Sequence, residues 1–186
     1  VRAKTCVALA KIDPKAVLEE IGCMLVSRDA STRRSAAYVL AIVDCDKRKE
    51  YIHTLLEDEN FGVRKMALKA ALALGDVVGV KEIMPLINDE NQWVRREVIE
   101  CAVGMADFPN DVIIKRFKEE TSAPVVELLL KYIVDRRLYE AVPMIMERIK
   151  REPEEEMPWL IASLGHLGAV NELNQVKKFL GPVRPS

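Results

Sequence analysis

Residues 47–76, KRKEYIHTLLEDENFGVRKMALKAALALGD, contain two apolar stripes at helical spacing with a turn between them. In the first half Ile52, Leu55 and Leu56 stand at i, i+3 and i+4, the pattern of one side of a short helix. In the second half Val63, Met66, Ala67, Ala70, Ala71 and Leu74 do the same, in a segment rich in alanine and straight-chain helix formers. Asn60 lies between the halves, where a side-chain oxygen can accept from an unpaired N–H at a helix start. Gly75 supplies a stop, because glycine enters the left-handed geometry past a helix end without penalty. The stretch therefore predicts helix A, tight turn, helix B, tight turn.

The same unit recurs every 31 residues: Ile21, Ile52, Ile83, Ile114 and Ile145 form one column, with Val176 in the sixth slot. A second column holds Leu25, Leu56, Ile87, Lys118, Ile149 and Leu180, and a third holds Arg2, Arg33, Arg64 and Arg95. Asp29, Asn60, Asn91 and Ser122 form a cap column. A fixed period of this length marks a solenoid, in which no unit buries its own apolar stripe and stacking makes the core continuous. The register places helices A near 15–26, 47–57, 78–88, 109–119, 140–150 and 172–180, and helices B near 1–12, 31–43, 61–74, 92–105, 123–135 and 157–167. The expected fold is all-α: a right-handed α-solenoid of about six antiparallel helix pairs, one domain over 1–180 with an irregular tail at 181–186. The repeat degrades toward the C-terminus, where Val126 and Met157 replace the arginine and Pro153 replaces the cap. Chain position 1 is Val and falls inside a repeat, so the chain reads as a piece of a longer protein whose open N-terminal end could self-associate.

Composition narrows the function classes. Lys plus Arg (28) nearly balances Asp plus Glu (29), so no global field holds a polyanion, which argues against nucleic acid as the main partner. Cys6, Cys23, Cys45 and Cys101 lack metal-ligand spacing, and no His accompanies them; no metal and no cofactor is expected. Cys6, Cys23 and Cys101 sit among apolar neighbours in predicted helices, as small hydrophobes of a reduced, cytoplasmic protein. No apolar run approaches a membrane span, and no signal peptide opens the chain. No phosphate loop, nucleophile elbow or paired-carboxylate motif is present, so no catalytic residue is assigned. His53 lies between core positions of a helix A, and His166 lies near a helix B terminus, where an imidazolium suits the helix dipole.

The strings Asp58…Val63-Arg64…Ala67…Ala71-Leu72…Leu74-Gly75-Asp76 and Asp89…Val94-Arg95 resemble the HEAT-like repeat, in the short bacterial and archaeal form named after phycobiliprotein bilin lyases. The resemblance covers nearly the whole chain and is most specific over 25–107. It implies that helix B lines a concave docking face. It also implies that Arg33, Arg64 and Arg95 bond to the Asp or a carbonyl of an adjacent turn, with Asp58 and Asp89 at matching positions. The His-Glu pairs of the iron-dependent HEAT-repeat hydroxylase of this wider family are missing.

The arginine column could offer guanidinium forks to phosphates or carboxylates, but it follows Val63 and Val94 on the packed side and reads as a strut between repeats. One residue further round helix B stand Arg34, Lys65, Arg96 and Glu127, and one turn later Tyr38, Lys69, Glu100 and Lys131. These rows are basic over the first three repeats and form the expected partner-binding face. Trp93 replaces Gly62 at the equivalent slot, where the core requires no large aromatic, and beside Arg96 it makes the expected hot spot. The reading that follows is a non-catalytic scaffold for a protein or peptide partner. One alternative is a bilin-lyase-like subunit or chaperone handling a chromophore or substrate protein. Another is a nucleic-acid-binding HEAT-like domain that uses Arg34, Lys65, Lys69 and Arg96 on phosphates.

Overall fold

The computed structural model describes residues 2–9, 12–74, 78–151 and 157–180. Val1, the Gly75 stop with Asp76, the acidic run at 152–156 and the tail at 181–186 lie outside the described residues, as do the side chains of Arg2, Leu74 and Leu180. Among the described residues the chain is helices and turns, an α-solenoid, with no strand. It divides into two compact units, Val1–Phe108 and Pro109–Ser186.

The first unit runs α1 (Arg2–Leu9), α2 (Pro14–Leu25), α3 (Ala30–Leu40), α4 (Arg48–Leu56), α5 (Phe61–Leu74), α6 (Val80–Ile83) and α7 (Gln92–Gly104). The second runs α8 (Asn110–Glu119), α9 (Ala123–Asp135), α10 (Val142–Arg151), α11 (Met157–His166) and α12 (Val170–Leu180). Helices A and B therefore alternate as the register requires, and α5 and α9 span the expected residues. One helix A departs from expectation: α6 stops after one turn, and Met84–Asn88 tightens into a 3-10 helix. Pro85 explains this, since it has no N–H to give to the carbonyl four residues back and its ring presses on that carbonyl. Pro124 and Pro143 fall in first turns, where a missing N–H costs little, and α9 and α10 run on unbroken.

The isoleucine column is the buried spine. Ile21, Ile52, Ile83, Ile114, Ile145 and Val176 are all buried, each contributing roughly 1.5–3 kcal/mol of apolar transfer. The second column is interrupted, with Leu25 half-buried and Lys118 exposed. In the first unit α3 packs on α1 and α5, and α5 on α7, so the B helices touch one another directly. Buried Ala36, Ala37, Ala67, Ala70, Ala71 and Ala102 make that approach possible.

The caps hold three of the four helix starts in their column. Asp29 accepts from the N–H groups of Ser31 and Thr32, Asn60 from that of Gly62 at 2.9 Å, and Asn91 from that of Trp93 at 3.0 Å. Ser122 occupies the fourth cap position without a side-chain capping bond. Glu120 works there instead, its carboxylate accepting from the N–H groups of Thr121 and Ser122 at 3.0 and 2.9 Å. Cys6 and Cys101 are buried, but Cys23 is exposed: its neighbour Met24 takes the inward position on α2. Past α9, Arg137 adopts a left-handed φ of 53°, and past α11 Gly168, one period later, has a φ of 70°. At both ends the next N–H reaches back five residues, Leu138 to Ile133 and Ala169 to Leu164.

Candidate functional site

Two arginines of the ladder are saturated inside the chain. Arg33 donates to Asp58 from Nε at 2.6 Å and Nη2 at 2.9 Å, while its Nη1 donates to the carbonyls of Ser27 and Arg28. Arg64 repeats this one period later, with Nε and Nη2 on Asp89 at 2.7 and 2.9 Å and Nη1 on the carbonyls of Asp58 and Glu59. Arg95 repeats the carbonyl part, with Nη1 on Asp89 at 2.8 Å and on Glu90 at 3.1 Å. Arg33 and Arg64 are each 8% exposed, so their forks face turns and not a ligand. The carboxylates are shared as well: Asp58 also accepts from the N–H of Asn60, and Asp89 from that of Asn91. Burial alone would raise the Asp58 carboxyl. The Arg33 hydrogen bond, the Asn60 N–H and the charges of Arg33 and Arg64 outweigh it and hold the carboxyl below its ordinary range.

The neighbouring column faces outward. Arg34, Lys65 and Lys69 gather around one cleft of about 460 Å³ on α3 and α5, with Asn60, Phe61, Gly62 and Met66. That volume lies in the range of ligand-sized clefts. Phe61 is 43% exposed, an aromatic that sequence reasoning missed because its slot reads as a helix start, not as surface. Trp93 is 42% exposed, and the Lys65 ammonium lies 5.5 Å from its ring centroid, within cation–π range. Arg96 pairs along its own helix with Glu100 at 3.0 Å. Tyr38 is exposed on α3 outside the lining of the cleft. Lys131 belongs to the other unit, where it lines a cleft of about 420 Å³ with Glu127, Asp135, Trp159 and His166 over Leu130 and Val134.

Beneath the basic face lies Glu97, buried on α7, with Lys69 Nζ 3.7 Å from its carboxylate. Burial raises the Glu97 carboxyl above its ordinary range despite the lysine. The same dry surroundings push the Cys101 thiol up to about 12, with the Glu97 and Glu100 charges adding to burial. An inert, buried thiol is the consequence. Among the described residues no cluster of His, Cys, Asp or Glu could hold a metal ion, and no helix is long and apolar enough to cross a membrane.

Residues 23–103 match the family model for HEAT repeats. That stretch carries HEAT repeats. Two engineered proteins whose crystal structures came from the Northeast Structural Genomics Consortium share the fold. One is 16% identical with a TM-score of 0.53, covering 90% of this chain and 89% of that one. The other is 15% identical with a TM-score of 0.51, covering 93% of this chain and 56% of that one. No curated protein matches the sequence.

Beyond the matched HEAT repeats the strut is rebuilt from a different helix. Val126 stands in the arginine column, and the buried Arg148 of α10 reaches the turn instead. Its Nη1 donates to the carbonyls of Phe117 at 2.7 Å and Glu120 at 3.0 Å, and its Nη2 to Glu120 at 2.7 Å. The guanidinium lies 5.1 Å from the Phe117 ring centroid. Arg148 was not legible in the register, because it answers a need of the turn from outside the repeating column. Trp159, 47% exposed, escaped notice for a related reason: Leu128 and Glu97 hold its slot in earlier repeats, so nothing marked it as surface.

Proposed function

We propose that this HEAT-like solenoid is a non-catalytic scaffold that takes a protein or peptide partner on the B-helix face of its first unit, the concave face in such repeats. The partner meets Trp93 and the cations Arg34, Lys65, Lys69 and Arg96, with Tyr38 and Glu100 on the same face. The observation that carries the reading is Trp93 itself, half-exposed and braced by Lys65 on a face whose core does not need it. A rigid aromatic beside arginine is the usual anchor of an interface. The fully committed forks of Arg33 and Arg64 support it from the other side, since they leave the outward column as the available chemistry. Cys23, Cys45 and Cys101 keep reduced thiols, which fits a reducing, cytoplasmic setting.

Affinity capture with the wild-type chain and a Trp93→Ala/Arg96→Glu variant tests this. A stoichiometric partner held by wild type and by His53→Ala on exposed helix A, but lost from the double variant, is expected. Equal recovery by all three would remove this face from the interface.

A further inference from the structure

We infer that the α3–α5 cleft receives an acidic peptide segment of the partner, an apolar side chain entering over Phe61 and Met66 while flanking carboxylates meet Arg34 and Lys65. The inference rests on the scaffold reading above and narrows it to one partner chemistry.

Charge is the first argument. Every ionisable side chain lining the cleft is a cation, and no carboxylate lines it. Lys69 is partly engaged by Glu97 at 3.7 Å, and Lys65 rests on the Trp93 ring. Arg34 is exposed and makes no ion pair among the described residues, so its planar fork is available to a carboxylate. This local excess of positive charge occurs in a chain of net charge −1, so the cleft is a focus and not part of a general basic surface.

The repeat register explains why the cleft exists. Gly62 opens α5 at the slot that Trp93 fills on α7, 31 residues later. A Cβ at Gly62 would meet only the Asn60 Oδ1 atom, at 3.1 Å, and otherwise enters open space. The next repeat shows that a side chain is accommodated there, because Trp93 keeps the same cap bond to Asn91 at 3.0 Å. The missing side chain thus leaves a vacancy with an apolar floor and a cationic rim.

The occupant follows from both halves of that description. An apolar floor of Phe61 and Met66 matches a peptide side chain, and the rim matches the carboxylates beside it. A nucleic-acid backbone would need a continuing track of free cations. Instead Glu100 neutralises Arg96 at 3.0 Å, and the Glu97 carboxylate lies behind Lys69.

Fluorescence anisotropy with a labelled peptide of alternating glutamates and leucines tests the assignment, using the glutamine-for-glutamate peptide and a single-stranded oligonucleotide as competitors of other chemistry. The acidic peptide should bind at least about tenfold more tightly than the glutamine peptide, with the margin shrinking as salt rises. Arg34→Glu, a surface change, should abolish that margin. Gly62→Trp should block the cleft while circular dichroism stays helical, and His53→Ala, an exposed change on helix A, should bind like wild type. Equal affinity for both peptides, still blocked by Gly62→Trp, would overturn the acidic class yet leave the scaffold reading standing. Oligonucleotide binding in place of peptide binding, or full binding by Arg34→Glu, would overturn the inference outright.

Discussion

Arg64 and Asp89 join successive repeats through a two-pronged ion pair, Nε to Oδ2 at 2.7 Å and Nη2 to Oδ1 at 2.9 Å, with Asp89 only 4% exposed at its side chain. The third guanidinium nitrogen closes the turn that precedes helix B by bonding to the carbonyls of Asp58 and Glu59. One side chain thereby satisfies two turns at once. Arg64→Met leaves a buried carboxylate and two carbonyls without this donor, and should cost about 3 kcal/mol in urea unfolding. Arg64→Lys should recover only part of that loss, since an ammonium cannot reproduce the fork. A loss below about 1 kcal/mol for the Met variant would mean that the pair is not a strut.

The matching pair, Arg33 and Asp58, makes acid stability depend on the ladder. Asp58 is held below its ordinary range in the folded chain, against the opposing effect of burial. A depressed carboxyl contributes stability that is fully present above its unfolded value and is lost as pH falls through the folded one. The thermal midpoint should therefore stay level from neutrality to about pH 4 and decline below it. Asp58→Asn should be less stable at neutral pH and show a flatter acid limb. An acid limb as steep as wild type would assign the decline to other carboxylates.

Glu97 works in the opposite sense. Burial raises its carboxyl, so the folded state is penalised once pH rises above the unfolded value, and the penalty grows until pH passes the folded one. The preceding repeat carries Met66 at this slot, so a methionine fits the local geometry. Glu97→Met should gain about 1 kcal/mol at neutral pH. That gain should fade below about pH 4, where the wild-type carboxyl is protonated in both states. Calorimetry at the two pH values checks both statements, and a gain independent of pH would point to packing alone.

Arg137 pays for a backbone geometry that suits glycine, with φ at 53°. Gly168 occupies the same slot in the next repeat, and Gly75 holds it two repeats earlier. The side chain is exposed, so little packing is lost on its removal. Arg137→Gly should raise stability by about 0.5–1 kcal/mol, the left-handed strain relieved exceeding the extra chain entropy. Chemical denaturation of the two proteins side by side decides it, and a lower midpoint for the glycine variant would contradict the strain argument.

By itself the sequence determined the period, the alternation of helices, the buried isoleucine spine and the columns of equivalent residues. Those properties depend on spacing along one helix, and a helix faces its neighbour through residues three and four apart whatever the neighbour is. It also exposed the contrast of Gly62 with Trp93, because the register makes unlike residues at like positions visible. Tertiary structure decided how the charged residues are used. Arg33 and Arg64 are consumed by carboxylates 25 residues away, while Arg34 and Lys65, adjacent in sequence, remain at a cleft. Adjacent helix positions point about 100° apart, and only the placement of the next repeat tells which direction meets an acid. The same holds for Glu97, buried on a face that periodicity does not separate from its exposed neighbour Arg96. It holds again for Arg148, which supplies from helix A the turn contact that Val126 cannot make from helix B. Pairing depends on distances across the stack, and a one-dimensional repeat records only which slots are equivalent.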